Sequence, residues 1–278
     1  MQTLNGMKGK TILVPTDFSR NAEAALKYAI GFAKDFNSHI IILHSYRLLQ
    51  TAVPSGDQSP FSIKNQWDKD TWEKFRKLEK KLIKGSNISY DFEVDVGFAS
   101  DAIMSSVDAN DAKMVIMGSA GAGAMSQVLG STTLKIIDKI NCPVMVVPSD
   151  AEYCTVRKIT FAYDNKKIKK PAKLNVLVDY VKNFGAKLEI LNINSEDGVS
   201  NYNLGLLEKK LKGTDHFYTT IQSENVAEGI LNYLKSKSVD ILVALKRDHS
   251  FMEKVFRYSI TRKLVLHTEL PLLVLHES

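Results

Sequence analysis

The chain alternates short apolar runs, rich in β-branched residues, with longer segments that have helical periodicity. Runs of this kind are typical of buried parallel strands, and strands that alternate with helices predict a parallel sheet covered on both faces. In the first half of the chain, the predicted strands are Thr11–Asp17, His39–Tyr46, Ser89–Gly97, Lys113–Ser119 and Pro143–Ser149.

The segments between these strands place their apolar residues along one stripe of a helix. Asn21–Phe36 follows a potential helix cap at Ser19, and its stripe consists of Ala25, Ala29, Phe32 and Phe36. In the predicted helix Trp67–Lys84 the stripe contains Trp72, Phe75, Leu78, Leu82 and Ile83, so that Trp72 is expected in the core and Trp67 at the surface. Two shorter helices are predicted at Ala99–Asn110 and Thr132–Ile140. The stretch Gln50–Ile63, with two prolines, is predicted to be a loop or flap.

The second half of the chain repeats this plan after about 130 residues, the length of a whole domain rather than of a solenoid repeat. Lys158–Asp164 corresponds to Thr11–Asp17, with Asp164 in the place of Asp17. The later matches are Leu188–Ile193, Ser223–Ile230, Val239–Ala244 and Leu266–His276. We therefore predict an α/β protein of two tandem Rossmann-like domains, residues 1–150 and 151–278, each a five-stranded parallel sheet core with helices on both faces.

Composition narrows the class of protein. The apolar fraction of 44% and the charged fraction of 24% are those of a globular protein. No run approaches the roughly 18 apolar residues of a membrane span, and the N-terminus lacks the apolar core of a signal peptide. The two cysteines, Cys142 and Cys154, are too few for a disulfide scaffold. We expect a soluble, cytoplasmic protein.

The net charge of +6 is concentrated in residues 151–278, which hold 20 basic and 15 acidic residues. The densest basic cluster contains Lys166, Lys167, Lys169 and Lys170. It is either a solvated loop or helix start, or a contact for an anion or an acidic partner. Nucleic-acid binding is not expected, because basic residues interleaved with aromatic ones are missing.

The segment with the clearest chemistry is the glycine-rich stretch Met117–Thr133, which follows the fourth strand. Ligands of parallel α/β sheets bind at the carboxyl ends of the strands. Glycines allow backbone N–H groups to surround a phosphate, and Ser131 and Thr132 could donate from the start of the next helix. A purely structural turn is the alternative. Asp17 ends the first strand at the same edge, where it could accept ribose hydroxyls or cap the following helix.

The start ILVPTDFS, the loop GSAG…GST and the ending CPVMVV together resemble the universal stress protein family in its tandem form, over nearly the whole chain. The family loop reads G-x2-G-x9-G-[S/T], whereas here only eight residues separate Gly121 from Gly130. The resemblance implies an adenine nucleotide alpha hydrolase-like fold that binds ATP, AMP or ADP, with or without Mg²⁺. The residues that match the family's binding positions are Pro15, Thr16, Asp17, Ser45, Met117, Gly118, Gly121, Gly130, Ser131 and Thr132.

The second half departs from this pattern. Leu245, Asp248 and Tyr258 stand where the first half has its three loop glycines, and Tyr163 replaces Thr16. Only Ser259 is retained, opposite Ser131. Bulky side chains would fill the cradle and Asp248 would repel phosphate, so no nucleotide is expected in residues 151–278.

Three functions remain open on the sequence. A non-catalytic, nucleotide-responsive stress protein is favoured, with at most slow hydrolysis because Asp17 is the sole carboxylate placed at this edge of the sheet. A nucleotide-free scaffold that binds a protein partner is the main alternative, and an enzyme acting on a nucleotide-like or acyl substrate is a third.

No catalytic residue or metal ligand is predicted, and His44 and His276 are interpreted as hydrogen-bonded structural residues. The resemblance also implies that Val144–Val147 and Leu272–Leu275 pair within one chain as a pseudo-dimer, giving a monomer or a homodimer.

Overall fold

The computed structural model describes residues 7–47, 60–119, 131–164, 168, 174–194, 205–247 and 260–277. These residues form one ten-stranded sheet with the order β3-β2-β1-β4-β5-β10-β9-β6-β7-β8. The second five strands have the same order as the first five, read in the opposite direction along the sheet. Every neighbouring pair is parallel except the central pair β5 and β10, which is antiparallel.

The predicted strands are confirmed, with small shifts at their ends. In the first half they are β1 (Thr11–Pro15), β2 (His39–Tyr46), β3 (Ser89–Val96), β4 (Met114–Gly118) and β5 (Val144–Val147). In the second half they are β6 (Lys158–Ala162), β7 (Lys187–Asn194), β8 (His216–Gln222), β9 (Ile241–Lys246) and β10 (Leu272–His276). β8 was not predicted. Its residues are mostly half-buried, so it lacks the apolar run that marks the central strands.

The helices cover both faces of the sheet. They are α1 (Arg20–Phe36), α2 (Pro60–Leu78), α3 (Ala99–Ala109), α4 (Ser131–Lys139), α5 (Asn175–Phe184), α6 (Gly205–Leu211) and α7 (Val226–Lys235), and residues 260–267 are also helical. A π-helical turn, Glu79–Ile83, extends α2. The cap of α1 is as predicted, because Ser19 Oγ accepts a hydrogen bond from the Ala22 backbone N–H. The predicted core stripe of α1 is buried throughout.

Three predictions for the first half need correction. β3 is not a buried strand, because it lies at one end of the sheet and most of its side chains are half-buried or exposed. Trp72 is 43% exposed rather than in the core, since α2 covers this edge and presents Phe75 to the interior instead. The predicted loop Gln50–Ile63 ends earlier, because α2 begins at Pro60. The rest of that loop lies outside the described residues. The four lysines of the cluster, at positions 166, 167, 169 and 170, also lie outside them, although Ile168 between them is described.

The two halves are joined by the sheet and by both layers of helices. β5 and β10 pair in antiparallel register, which confirms the predicted pairing of the last strands. On one face, Phe36 of α1 packs against Tyr180 and Phe184 of α5, with ring centroids 5.5 and 5.3 Å apart. On the other face, His276 Nε2 and Lys246 Nζ both donate to the Ile137 carbonyl near the end of α4, at 2.7 and 2.9 Å. The hydrophobic core is therefore continuous across the two halves.

Candidate functional site

The point where strand order reverses lies beside β1, which has β2 on one side and β4 on the other. The chain leaves β1 toward α1 and leaves β4 toward α4, so the loops after these strands diverge to opposite faces. In doubly wound sheets such a divergence opens a crevice at the carboxyl ends of the strands, and ligands bind in it. The carboxyl ends of β1, β2 and β4 therefore define the candidate site.

The turn after β1 is held by its own polar side chains. Thr16 is buried, its N–H donates to the Leu43 carbonyl at 2.8 Å, and its Oγ1 accepts from the Phe18 N–H at 3.0 Å. Asp17 is exposed, and its Oδ1 accepts from the Ser19 N–H at 3.0 Å. Phe18 has a φ of 61°, in the left-handed region that non-glycine residues rarely adopt. Asp17 thus shapes this turn, and Ser19 rather than Asp17 caps α1.

His44 supports this turn from β2. Its Nδ1 donates to the Thr16 carbonyl at 2.8 Å, and its ring lies 4.7 Å from the Phe18 ring. Burial, together with the nearby Lys74 ammonium, lowers the pKa of His44 below its usual value, against the opposing effects of Thr16 and Asp17. His44 is thus a hydrogen-bonded structural residue, as is His276, which confirms both interpretations. Ser45 follows on β2, half-buried at the same edge.

Gly118 ends β4 at a point where the backbone of α1 comes very close. A Cβ added at Gly118 would lie 2.9 Å from the Asn21 carbonyl oxygen. Gly118 does not have a positive φ, so the glycine is required here by close packing and not by an unusual backbone conformation. The Gly118 carbonyl accepts a hydrogen bond from Thr133 Oγ1 at 3.0 Å, which ties the first turn of α4 to β4.

The remaining predicted positions are grouped at the same edge, as far as the structure describes them. Met117 is buried beside Gly118, and Ser131 and Thr132 form the first turn of α4, exposed and half-buried respectively. The first N–H groups of a helix have no partner within the helix and attract anions. Pro15 ends β1. Gly121 and Gly130, the other two loop glycines, lie outside the described residues.

The backbone of this site is repeated in the second half. The Tyr163 N–H donates to the Leu191 carbonyl at 2.9 Å, as the Thr16 N–H does to Leu43. Asn192 takes the place of His44, and its Nδ2 donates to the Tyr163 carbonyl at 2.9 Å. Tyr163 itself is buried in the core, with its ring centroid 5.7 Å from that of Phe161.

The side chains at the edge of the second half, in contrast, are bound to one another. Arg247, just after β9, donates to both carboxylate oxygens of Asp164, at 3.0 and 2.7 Å. The same guanidinium contacts Glu277, after β10, at 3.1 Å. The side chains of Arg247 and Glu277 are only 6% and 3% exposed. This Asp164–Arg247–Glu277 cluster was not predicted from the sequence. Asp248, Tyr258 and Ser259 lie outside the described residues.

Neither a metal-ligand cluster nor a membrane-spanning helix is present among the described residues. No three histidine, cysteine or acidic side chains there are grouped so that they could hold a metal ion. Among the helices in the described part of the chain, none is both long enough and apolar enough to span a membrane.

The fold and the candidate site define a doubled, doubly wound α/β protein with polar residues at the strand ends of its first half. Residues 9–148 match the model of the universal stress protein family, and the chain belongs to this family. It is 28% identical over 155 residues to the universal stress protein MJ0577 of Methanocaldococcus jannaschii, covering 50% of this chain and 94% of that protein. A second protein of that organism, MJ0531, is 26% identical over 148 residues, covering 50% of this chain and 81% of that protein.

The whole chain also has a structural relative. A universal stress protein from Archaeoglobus fulgidus superposes with a TM-score of 0.78, covering 97% of this chain and 99% of that one, at 19% identity. At this identity the similarity establishes the fold alone, and it does so for both halves.

Proposed function

We propose that this chain is a stress-response protein of the cytoplasm that binds ATP or another adenine nucleotide in its first half and acts as a nucleotide-responsive regulator. The observation that carries the proposal is the contrast between two equivalent carboxylates. Asp17 accepts a hydrogen bond from the Ser19 N–H at the exposed strand edge, whereas Asp164, exposed at the same place in the second half, is bound by the Arg247 guanidinium. A cation therefore already neutralises the carboxylate of the second half, which disfavours an additional ligand there.

The residues of the first half suit such a ligand. The exposed Asp17 carboxylate would accept hydrogen bonds from ribose hydroxyls, while Pro15, Thr16, Ser45 and Met117 would form the adenine side of the crevice. The N-terminus of α4, with Ser131 and Thr132, would bind phosphate oxygens together with Gly118, Gly121 and Gly130. Asp17 is the sole carboxylate that the sequence places at this edge, so we expect binding with slow hydrolysis at most.

The second half would then serve as a structural partner. An arginine that makes paired hydrogen bonds to one carboxylate and contacts a second one is held firmly, and it lies where a ligand would approach Asp164. We therefore expect one nucleotide per chain.

The duplication supplies a matched test of this proposal. Asp17→Asn keeps an oxygen that can accept from the Ser19 N–H but removes the negative charge, so nucleotide affinity measured by calorimetry should fall about tenfold. Asp164→Asn makes the same change in the second half and should leave both affinity and stoichiometry unchanged. Gly118→Leu is not suitable, because its side chain would displace α1 from Asn21.

A nucleotide-free scaffold is the competing function. Mass spectrometry of small molecules released from the purified chain, with thermal unfolding at millimolar ATP, decides between them. Absence of released adenine nucleotide together with an unchanged melting temperature would rule out the nucleotide-binding proposal.

A further inference from the structure

The edge of the sheet at β3 differs from the rest of the described surface. The large hydrophobic side chains that are exposed among the described residues are Trp67, Trp72, Val96 and Phe98, at 36, 43, 41 and 58%. Trp67 and Trp72 belong to α2, and Val96 and Phe98 lie at the end of β3 and just after it. We use the name β3 edge for β3 together with these four side chains.

Contacts between neighbouring residues show that the β3 edge is one surface. The Trp67 ring lies 5.3 Å from that of Tyr46, which pairs with Val96 across the strands. Trp72 lies 6.4 Å from Phe92 on β3, and the Arg47 guanidinium covers Phe98 at 5.0 Å. A groove of about 700 Å³ runs between α2 and β3, lined by Trp72, Arg76, Glu79, Tyr90 and Phe92 among others.

The backbone of β3 has a partner on one side only. β2 is its one neighbour in the sheet formed by the described residues, so its outer row of N–H and C=O groups has no strand partner there, and within that row the Val96 N–H donates to Asp95 Oδ1. An edge with exposed apolar side chains is a template for a further strand, which would add main-chain hydrogen bonds and insert alternate side chains into adjacent pockets.

The two faces of the β3 edge have different chemistry. Tyr90, Phe92 and Val94 point toward α2 and pack on the core. The alternate positions Asp91, Glu93 and Asp95 are acidic, and Glu93 faces α3 through Ser106 and Asn110. Residues 89–109 contain five acidic residues and no basic one, in a chain whose net charge is +6.

This charge pattern decides what can occupy the edge. If a second copy of the chain paired through β3, its Asp91, Glu93 and Asp95 would lie opposite the same acidic residues, and like charges across strands are destabilising. A strand with basic side chains on that face would be attracted instead. Its other face should be apolar, to cover Trp72, Phe92 and Val96.

We propose that the β3 edge binds a partner protein by strand addition, and that the added segment alternates between basic and apolar side chains. The basic side chains meet Asp91, Glu93 and Asp95, and the apolar ones enter the groove beside Trp72. The β3 edge shares no residue with the proposed nucleotide site, so the interaction is to be measured on the full chain without nucleotide.

The probe is a short synthetic peptide in which lysine alternates with valine. The only two tryptophans of the chain, Trp67 and Trp72, both lie on the β3 edge, so their fluorescence reports occupancy directly. We expect saturable binding with a blue shift of the emission. A peptide of the same composition, with lysines and valines in separate blocks, and a peptide with glutamate in place of lysine should both fail to bind.

Two variants and one matched control locate the site. Asp91→Lys reverses an exposed charge on the edge and should weaken peptide binding about fivefold to tenfold, and Trp72→Ala should do so by about tenfold. Asp215→Lys makes the same charge change at an exposed position preceding β8, the opposite edge, and should leave binding unchanged.

Three results would overturn the proposal. The first is the absence of saturable binding by the alternating peptide. The second is equal binding of the block peptide, or an equal loss with Asp215→Lys, because either would indicate non-specific attraction. The third is a dimer in sedimentation that dissociates on Trp72→Ala, which would show that a second copy occupies the edge.

Discussion

At the scale of single residues, the two halves keep the same hydrogen bond with different side chains. The carbonyl after β1 is bound by His44 and the carbonyl after β6 by Asn192, each from the neighbouring strand. A neutral imidazole and a carboxamide can both donate here, but only the imidazole can take up a second proton. At this one position the first half therefore carries a titratable group, and the second half carries a carboxamide that does not titrate.

This difference predicts a pH dependence of stability for the first half. The pKa of His44 is lowered in the folded chain, chiefly by burial, from its usual 6.5. The unfolded chain therefore takes up this proton at a higher pH than the folded chain, so the stabilisation is complete above pH 6.5 and is lost as pH falls through the folded pKa. His44→Asn, which copies the second half, should remove this contribution. Denaturant unfolding of both proteins between neutral and acidic pH measures it.

The other titrating groups are the same in the wild type and in His44→Asn, so their contributions to the difference in unfolding free energy cancel. The free energy of unfolding of the wild type should fall relative to His44→Asn as the solution becomes more acidic. A constant difference across this range would show that His44 takes up its proton equally well in the folded state.

Individual residues also show which contacts could be predicted from the sequence and which could not. The equivalence of Asp17 and Asp164 follows from the repeat, because both end a matching apolar run. The binding of Asp164 by Arg247 does not follow, because the two residues are far apart in sequence and Arg247 belongs to no motif. Gly118 was predicted to let the backbone approach an anion, but its missing side chain makes room for the backbone of α1, which only the packing of the helix could reveal.

At the scale of elements, the strands and helices that are buried were predicted more accurately than those at the edge of the sheet. The central strands and α1 were predicted closely, because their positions are buried and their apolar patterns are continuous. α2 and β3 were misjudged because both lie at the edge of the sheet, where Trp72 and Val96 are exposed although their residue types suggest a core. Apolar periodicity predicts which residues share a face, but it does not reveal whether another layer covers that face.

The segment that links the halves is also held by an element of the first half. Tyr153 lies on α1, where a Cβ at Gly31 would approach its Cδ1 to 2.2 Å. Its ring also contacts Tyr28 edge-on, with centroids 5.0 Å apart, and its hydroxyl donates to Asp35. Gly31 thus allows the linking segment to pack closely against the helix.

This contact gives a prediction in which alanine has opposite effects in two backgrounds. Alanine normally stabilises a helix relative to glycine, by about 0.5–1 kcal/mol. In the wild type, Gly31→Ala should instead destabilise by about 1–3 kcal/mol, because the Tyr153 ring must move. In a Tyr153→Gly background the same change should become stabilising, as measured by denaturant unfolding in a double-mutant cycle. Equal effects in both backgrounds would show that Tyr153 does not pack on Gly31.

At the scale of the whole molecule, the chain is a pair of similar halves that share one sheet. The central strands β5 and β10 are almost completely inaccessible to solvent, and each would be an apolar edge without the other. The aromatic contacts of α1 with α5 would be lost at the same time. Natural proteins rarely leave such an edge uncovered, because it pairs with any similar strand.

The last prediction therefore concerns the first half expressed alone. Residues 1–150 contain β5 and α1, so two copies could repeat the antiparallel contact that β5 now makes with β10. We expect this fragment to be a dimer in analytical ultracentrifugation. Val146→Lys should convert it to a monomer, because the substitution places a charge on the pairing strand, where Val146 now faces Leu272. The first half would thus use for self-association the surface that the full chain covers with its second half. A fragment that is monomeric without the substitution, or that remains unfolded, would show instead that the second half completes the first in a way that another copy of the first half cannot replace.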